Sequence, residues 1–231
     1  MDQFKWIKEH LATRQVNALN HVVDSVPDLF DAYFLVHWKV GIVDTFPFDA
    51  YPEKNETIEQ TNARIKLERA HGLFLNPDNR GLFREISLKE IAERFSLPYT
   101  YNMLSRMKQT PAIAILDKES EMALQASLTT IAKAEGLNLF VEDAYRFPID
   151  FPIGKHPEQE YTAINVLEYI SIQQELHYDY CTYLFPDDLS WCLTTAEDLP
   201  TVLCVNNNIK SKILNDFLLE TFETDYITAL T

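Results

Sequence analysis

Apolar residues open the chain at the spacing of a helix. Phe4, Ile7 and Leu11, then Leu19, Val22 and Val23, fall on one side of a 3.6-residue repeat, and Pro27 closes the segment, so residues 2–24 are expected to be helical. From Tyr33 to Val43 that repeat gives way to a run rich in aromatic and β-branched residues, ending at Asp44, which predicts a strand. Phe46–Pro52 is a loop of prolines and aromatics. Thr57 with Gln60, and Ser87 with Glu90, have the offset of capping boxes. The first opens a polar helix to about His71, closed by Gly72; the second opens an apolar-faced helix through Phe95. A turn at 76–81 lies between them, and a second short helix is expected from Tyr101 to Lys108.

Ala112–Leu116 reads as a buried strand, followed by a helix that Asp117 caps and Gly136 ends, and Asn138–Val141 returns as strand. Past Pro157 a helix is expected at about 159–173, then strands at about 177–185, 189–195 and 201–205. Pro186-Asp187-Asp188 makes the first turn between them and Ala196–Pro200 the second, while Asn208 caps a last helix through about Phe222. Helices and antiparallel strands in separate runs indicate an α+β fold. The expected architecture is a helical N-terminal half and a C-terminal antiparallel β-meander flanked by helices. It forms one domain over residues 1–231, divisible into a mainly helical 1–110 and a sheet-containing 111–231.

Composition narrows the chemistry. With 46% hydrophobic and 12% aromatic residues in 231, the chain has ample material for a core. The most apolar stretch, Tyr33–Val43, is interrupted by His37 and Lys39, far short of the roughly 18 residues a membrane span needs. Charges at Asp2, Lys5, Lys8 and Glu9 occupy the place where a secretory signal needs an unbroken apolar run, so a cytoplasmic location is expected. Cys181, Cys192 and Cys204 are odd in number and spaced by eleven and twelve, which suits neither a disulfide framework nor a metal knuckle. Five glycines, at 41, 72, 81, 136 and 154, exclude Gly-x-Gly-x-x-Gly, the phosphate loop and the Gly-x-Ser-x-Gly elbow; His-Glu-x-x-His is absent as well.

Charge is distributed unevenly. Residues 1–115 hold fourteen Lys/Arg against fifteen Asp/Glu, whereas residues 116–231 hold six against twenty. No Lys or Arg occurs from His156 to Ile209, a stretch of 54 residues with nine acids. Such a field repels nucleic acid and anionic membrane and attracts basic proteins.

Three groupings carry candidate chemistry. Ser87–Lys108 resembles a helix-turn-helix reader of DNA, with Leu88, Ile91, Ala92 and Phe95 as the buried face of its first helix. It departs from that motif at Ser96, which stands where the turn commonly has glycine, at Asn102 and at Pro98-Tyr99. His177, Asp179 and Cys181 alternate onto one face of a strand, a candidate metal set, with Tyr178 and Tyr180 on the other. The meander offers Asp187 and Asp188 at one turn and Glu197 and Asp198 at the next, with tyrosines and Trp191 nearby; Trp191, between Leu189 and Leu193, is expected in the core. Successive turns fall at opposite ends of a meander, which suits a broad face better than the close carboxylate pair of acid/base catalysis.

These features predict a non-enzymatic interaction protein that binds a basic macromolecular partner through its acidic C-terminal half, in the manner of an inhibitor or immunity protein. The predicted contact set is Asp179, Asp187, Asp188, Glu197, Asp198, Tyr178 and Tyr180, with no cofactor and with neither nucleic acid nor membrane as ligand. Two alternatives stand beside it: a metal-dependent hydrolase centred on His177 and Asp179, and a DNA-binding regulator using residues 87–108.

Overall fold

The computed structural model describes residues 2–13, 22–45, 57–70, 81, 83–101, 103, 118–132, 136–143, 158–176, 180–195 and 200–228. In chain order the elements are α1 (Lys5–Thr13), α2 (Val22–Ser25), β1 (Ala32–His37), β2 (Val40–Ile42), α3 (Ile58–Ala70), β3 (Arg84–Ile86), α4 (Leu88–Phe95), α5 (Lys118–Ala132), β4 (Leu137–Asp143), β5 (Gln159–Ile164), α6 (Val166–Glu175), β6 (Tyr180–Pro186), β7 (Trp191–Thr195), β8 (Thr201–Val205), α7 (Asn207–Asp216) and β9 (Glu220–Thr224). They form two compact units. Unit 1 comprises Met1–His37 with Glu121–Thr231, and unit 2, Trp38–Ser120, interrupts its sequence.

Unit 1 is built on a seven-stranded sheet in the order β5-β4-β6-β7-β8-β1-β9, antiparallel at every pairing. The central strands β1, β6, β7 and β8 are buried almost end to end, so both faces of the sheet are covered there. Cross-strand partners share a face. Asn138 opposite Phe185 and Phe140 opposite Tyr183 therefore define one side. There α1 lays Phe4 at 6.0 Å from the Phe140 ring and 5.8 Å from Phe185, and Trp6 at 5.0 Å from Phe185. Phe4, Phe140 and Phe185 are nearly fully buried, and each contributes about 1.5–3 kcal/mol relative to exposure.

The opposite side carries Thr182 and Thr195, register partners on β6 and β7. Here α6 covers the sheet, opened by a capping box in which Asn165 Oδ1 accepts from the Glu168 N–H at 3.0 Å and Glu168 accepts from the Asn165 N–H at 2.7 Å. The Gln173 amide nitrogen of α6 lies 3.0 Å from the Tyr169 hydroxyl and within hydrogen-bond reach of both threonine hydroxyls, which lie 2.6 Å apart, so its two N–H groups are shared among three acceptors. Burial pushes the Tyr169 hydroxyl up to about 12, so it stays protonated and able to donate.

The expected division into a helical first half and a C-terminal meander is overturned by this sheet. β1, from the first half, is an inner strand between β8 and β9, and α5, α6 and α7 lie in the second half. The physical reason is that Ala32–Val36 is buried on both sides, and a strand with no polar face cannot serve as an edge. The predicted strand 33–43 divides after His37, one part entering each unit's sheet. The helix expected at 159–173 is β5 followed by α6, and the last helix ends at Asp216, leaving Glu220–Thr224 as β9.

Unit 2 contains the two-stranded pairing of β2 with β3, the polar helix α3 and the amphipathic α4. Both predicted capping boxes form. The Thr57 N–H donates to Gln60 at 2.8 Å with a 3.3 Å return bond, and the Ser87 N–H donates to Glu90 at 3.0 Å with a 3.1 Å return bond. α4 ends at Ser96, whose φ of 52° is left-handed, with the Leu97 N–H donating back to the Ala92 carbonyl at 2.9 Å. Of the proposed second reader helix, residues 102 and 104–108 lie outside the described residues.

Candidate interaction surface

The turn between β6 and β7 places Asp187 and Asp188 side by side and exposed. It closes with the Leu189 N–H donating to the Pro186 carbonyl at 3.0 Å. Each acid also serves the fold. Asp187 accepts from the amide of Asn138, a nearly inaccessible side chain on β4, at 2.8 Å. Asp188 accepts from the Ser190 N–H at 2.9 Å, relieving a main-chain donor next to Leu189, whose φ is 49°. Sequence spacing gave no sign of the Asn138 contact, which spans 49 residues.

Tyr180 begins β6, half-buried and in register with Asp143 on β4. Tyr178, Asp179, Glu197 and Asp198, and His177 of the metal reading, lie outside the described residues. Cys181 is buried on the aromatic side, opposite Glu142. Among the described residues no three His, Cys, Asp or Glu side chains are grouped to hold a metal ion. Trp191, Tyr183 and Phe185 are core residues, each about 1% exposed. Cys192 and Cys204 face each other across β7 and β8, and burial pushes both thiols up, away from the reactive thiolate.

The charge follows the units rather than the halves of the sequence. Residues 38–120 hold twelve Lys/Arg and twelve Asp/Glu, leaving eight against twenty-three in unit 1, the full −15 of the chain. Unit 1's described lysines are largely engaged already: Lys5 pairs with Glu9, Lys8 with Asp2 and Glu160, and Lys210 with Glu223. In unit 2, Asp44 is gripped by Arg84 through Nε at 2.8 Å and Nη2 at 3.2 Å, and by Arg94. Those guanidiniums hold the Asp44 carboxyl down to about 2.

The two edges of the sheet differ. β5 pairs with β4 through a register shift, and Ala163 on it has a φ of 55°, the irregularity that blunts an edge. β9 pairs with β1 through five consecutive residues without interruption. Sequence reading missed this second edge because it assigned Phe222 to a helix; the β-branched and aromatic Thr221-Phe222 was the available signal.

His37 ends β1 on the aromatic side, opposite Glu220 of β9 and edge-on to the Phe222 ring at 5.5 Å. Burial lowers its pKa to about 4, and its Nε2 has no hydrogen-bond partner in the structure, so the imidazole is a neutral packed ring rather than a base. Among the described residues no helix is long and apolar enough to cross a membrane. Comparison of the chain with protein-family models, with curated proteins and with solved structures finds no match.

Proposed function

We propose that this chain is a non-enzymatic interaction protein that binds a basic macromolecular partner through the acidic C-terminal half. The observation that carries the reading is the confinement of the whole net charge to unit 1, where three described lysines are already paired with acids of the same unit. A sustained negative field accelerates encounter with a cationic partner and discriminates against nucleic acid. Asp187 and Asp188, at an exposed turn, are described members of the contact set; Tyr180, the third, begins β6 at its opposite end, about 20 Å along the strand.

The structural roles of these two acids dictate the test. Asp187→Asn and Asp188→Asn keep the acceptor oxygens used by Asn138 and the Ser190 N–H while removing the charge, and Glu197→Gln with Asp198→Asn neutralises the second turn. Affinity capture from the native cell at low salt is expected to retain a basic protein on the wild-type chain, to release it as salt rises, and to lose it on the fourfold variant. Retention of no basic protein, or retention indifferent to both salt and neutralisation, overturns the proposal.

A further inference from the structure

We infer that the free edge of β9 is a docking strand for an extended cationic peptide segment of a partner protein, held by main-chain pairing and by the acids that flank it. The inference rests on the function proposed above and narrows it to a place and a mode of recognition.

Register assigns the free groups. The Asn206 N–H donates to the Ser190 carbonyl at 3.0 Å, which fixes the alternation across β7 and β8. Residues 201, 203 and 205 of β8 then turn their main-chain groups to β1, and residues 33, 35 and 37 of β1 turn theirs to β9. Glu220, Phe222 and Thr224 therefore bond β1, while the N–H and C=O of Thr221 and Glu223 point away from the sheet. No described strand pairs with that side. Unlike β5, the edge has no bulge to disrupt the addition of another strand.

The surroundings select the occupant. Between Lys212 and Thr231 the chain has four acids, Asp216, Glu220, Glu223 and Asp225, and no Lys or Arg; Lys210 of α7 offsets one of these charges, at Glu223. Leu218 and Ile227 bracket the strand, 66% and 77% exposed, as apolar contacts beyond each end. A second copy of the chain is disfavoured, since β9 against β9 puts four glutamates, two Glu220 and two Glu223, into one two-stranded ladder with no base on either strand. An extended segment mixing basic and apolar residues meets all three features, with strand addition supplying affinity and the acids supplying sign.

The test uses the full chain and a capped peptide of alternating lysine and valine, beside its glutamate–valine counterpart and a version interrupted by proline. Thr221→Pro removes an outward N–H but none of the donors that face β1. The lysine–valine peptide is expected to bind, with the Thr221 and Glu223 amides gaining protection from hydrogen exchange. Affinity is expected to fall at least about tenfold for Thr221→Pro and for the proline-interrupted peptide. Unchanged affinity in both cases, with the glutamate peptide still rejected, overturns the edge and leaves the acidic reading standing. Equal binding of the glutamate peptide, or no binding of the lysine peptide, overturns the inference; the former also counts against the acidic reading. If circular dichroism shows that Thr221→Pro fails to fold, exchange at the two wild-type amides decides: no gain in protection on adding the lysine peptide sinks the proposal.

Discussion

Asp44 in unit 2 and Asp187 in unit 1 are both exposed carboxylates close to strand ends, yet the molecule answers them in opposite ways. Asp44 is enclosed by two guanidiniums of its own unit, whereas Asp187 accepts from one neutral amide, that of Asn138. The contrast extends to the units. Unit 2 balances twelve bases with twelve acids around a short two-stranded ladder and two capping boxes, so its specificity lies in local polar contacts. Unit 1 is held chiefly by a sheet covered on both faces at its central strands, and its acids outnumber its bases by twenty-three to eight. Charge in such excess over its own bases is available to a partner.

Packing against polar closure is the comparison to break first. Phe185→Ala removes a ring that contacts both Phe4 and Trp6 and is expected to cost unit 1 about 3–5 kcal/mol. Denaturant unfolding followed by hydrogen exchange in each unit measures it. A cost under about 1 kcal/mol would show that α1 adds little to the sheet.

Acid separates the units by sign and window. His37 has a folded pKa of about 4 against an ordinary 6.5, so the unfolded chain takes up a proton first, and stability present above pH 6.5 is lost as pH falls towards 4. The loss is on the order of 3 kcal/mol at most. Asp44, lowered from 3.8 to about 2, holds its contribution down to about pH 4 and gives it up only between there and 2. Exchange protection in β1 and β9 is therefore expected to weaken by pH 5 in the wild type but not in His37→Phe, while β2 and β3 hold. Simultaneous loss in both sheets, unaffected by that substitution, would remove the distinction.

The smallest effect concerns unit 2 alone. Ser96→Gly places the residue that tolerates a left-handed φ at the end of α4, and a gain of about 0.5–1 kcal/mol is expected in thermal unfolding of β2, β3 and α4. A destabilisation would mean that the Ser96 side chain makes a contact worth more than the backbone strain it imposes.

What the sequence disclosed depended on the range of the signal. Thr57 with Gln60, and Ser87 with Glu90, act over three residues, and their boxes form. The strands 180–186, 191–195 and 201–205 carry β-branched and aromatic runs that identify them without knowledge of their neighbours. The place of β1 did not follow in the same way, because a run apolar on both sides states that it is enclosed but not by what. At 159–164 the polar Gln-Glu-Tyr-Thr gives an exposed edge strand too little apolar alternation to be told from a helix start, and the true cap, Asn165 with Glu168, lay inside the expected helix. The site divided likewise. The acidic turn was visible in Pro186-Asp187-Asp188, while its tie to Asn138 and the second edge at β9 exist only through pairing at long range.

β1 also sets the order of events during synthesis. Val36 pairs with Thr201 on one side and Thr221 on the other, so this strand is made long before either partner exists. At about 5–20 residues per second, an apolar strand with two open sides waits on the order of ten seconds or more beside the ribosome. The interval is long enough for unit 2, whose described paired strands are residues 40–42 and 84–86, to fold first. A chaperone that covers Ala32–His37 until residue 224 has emerged would meet the need this topology creates.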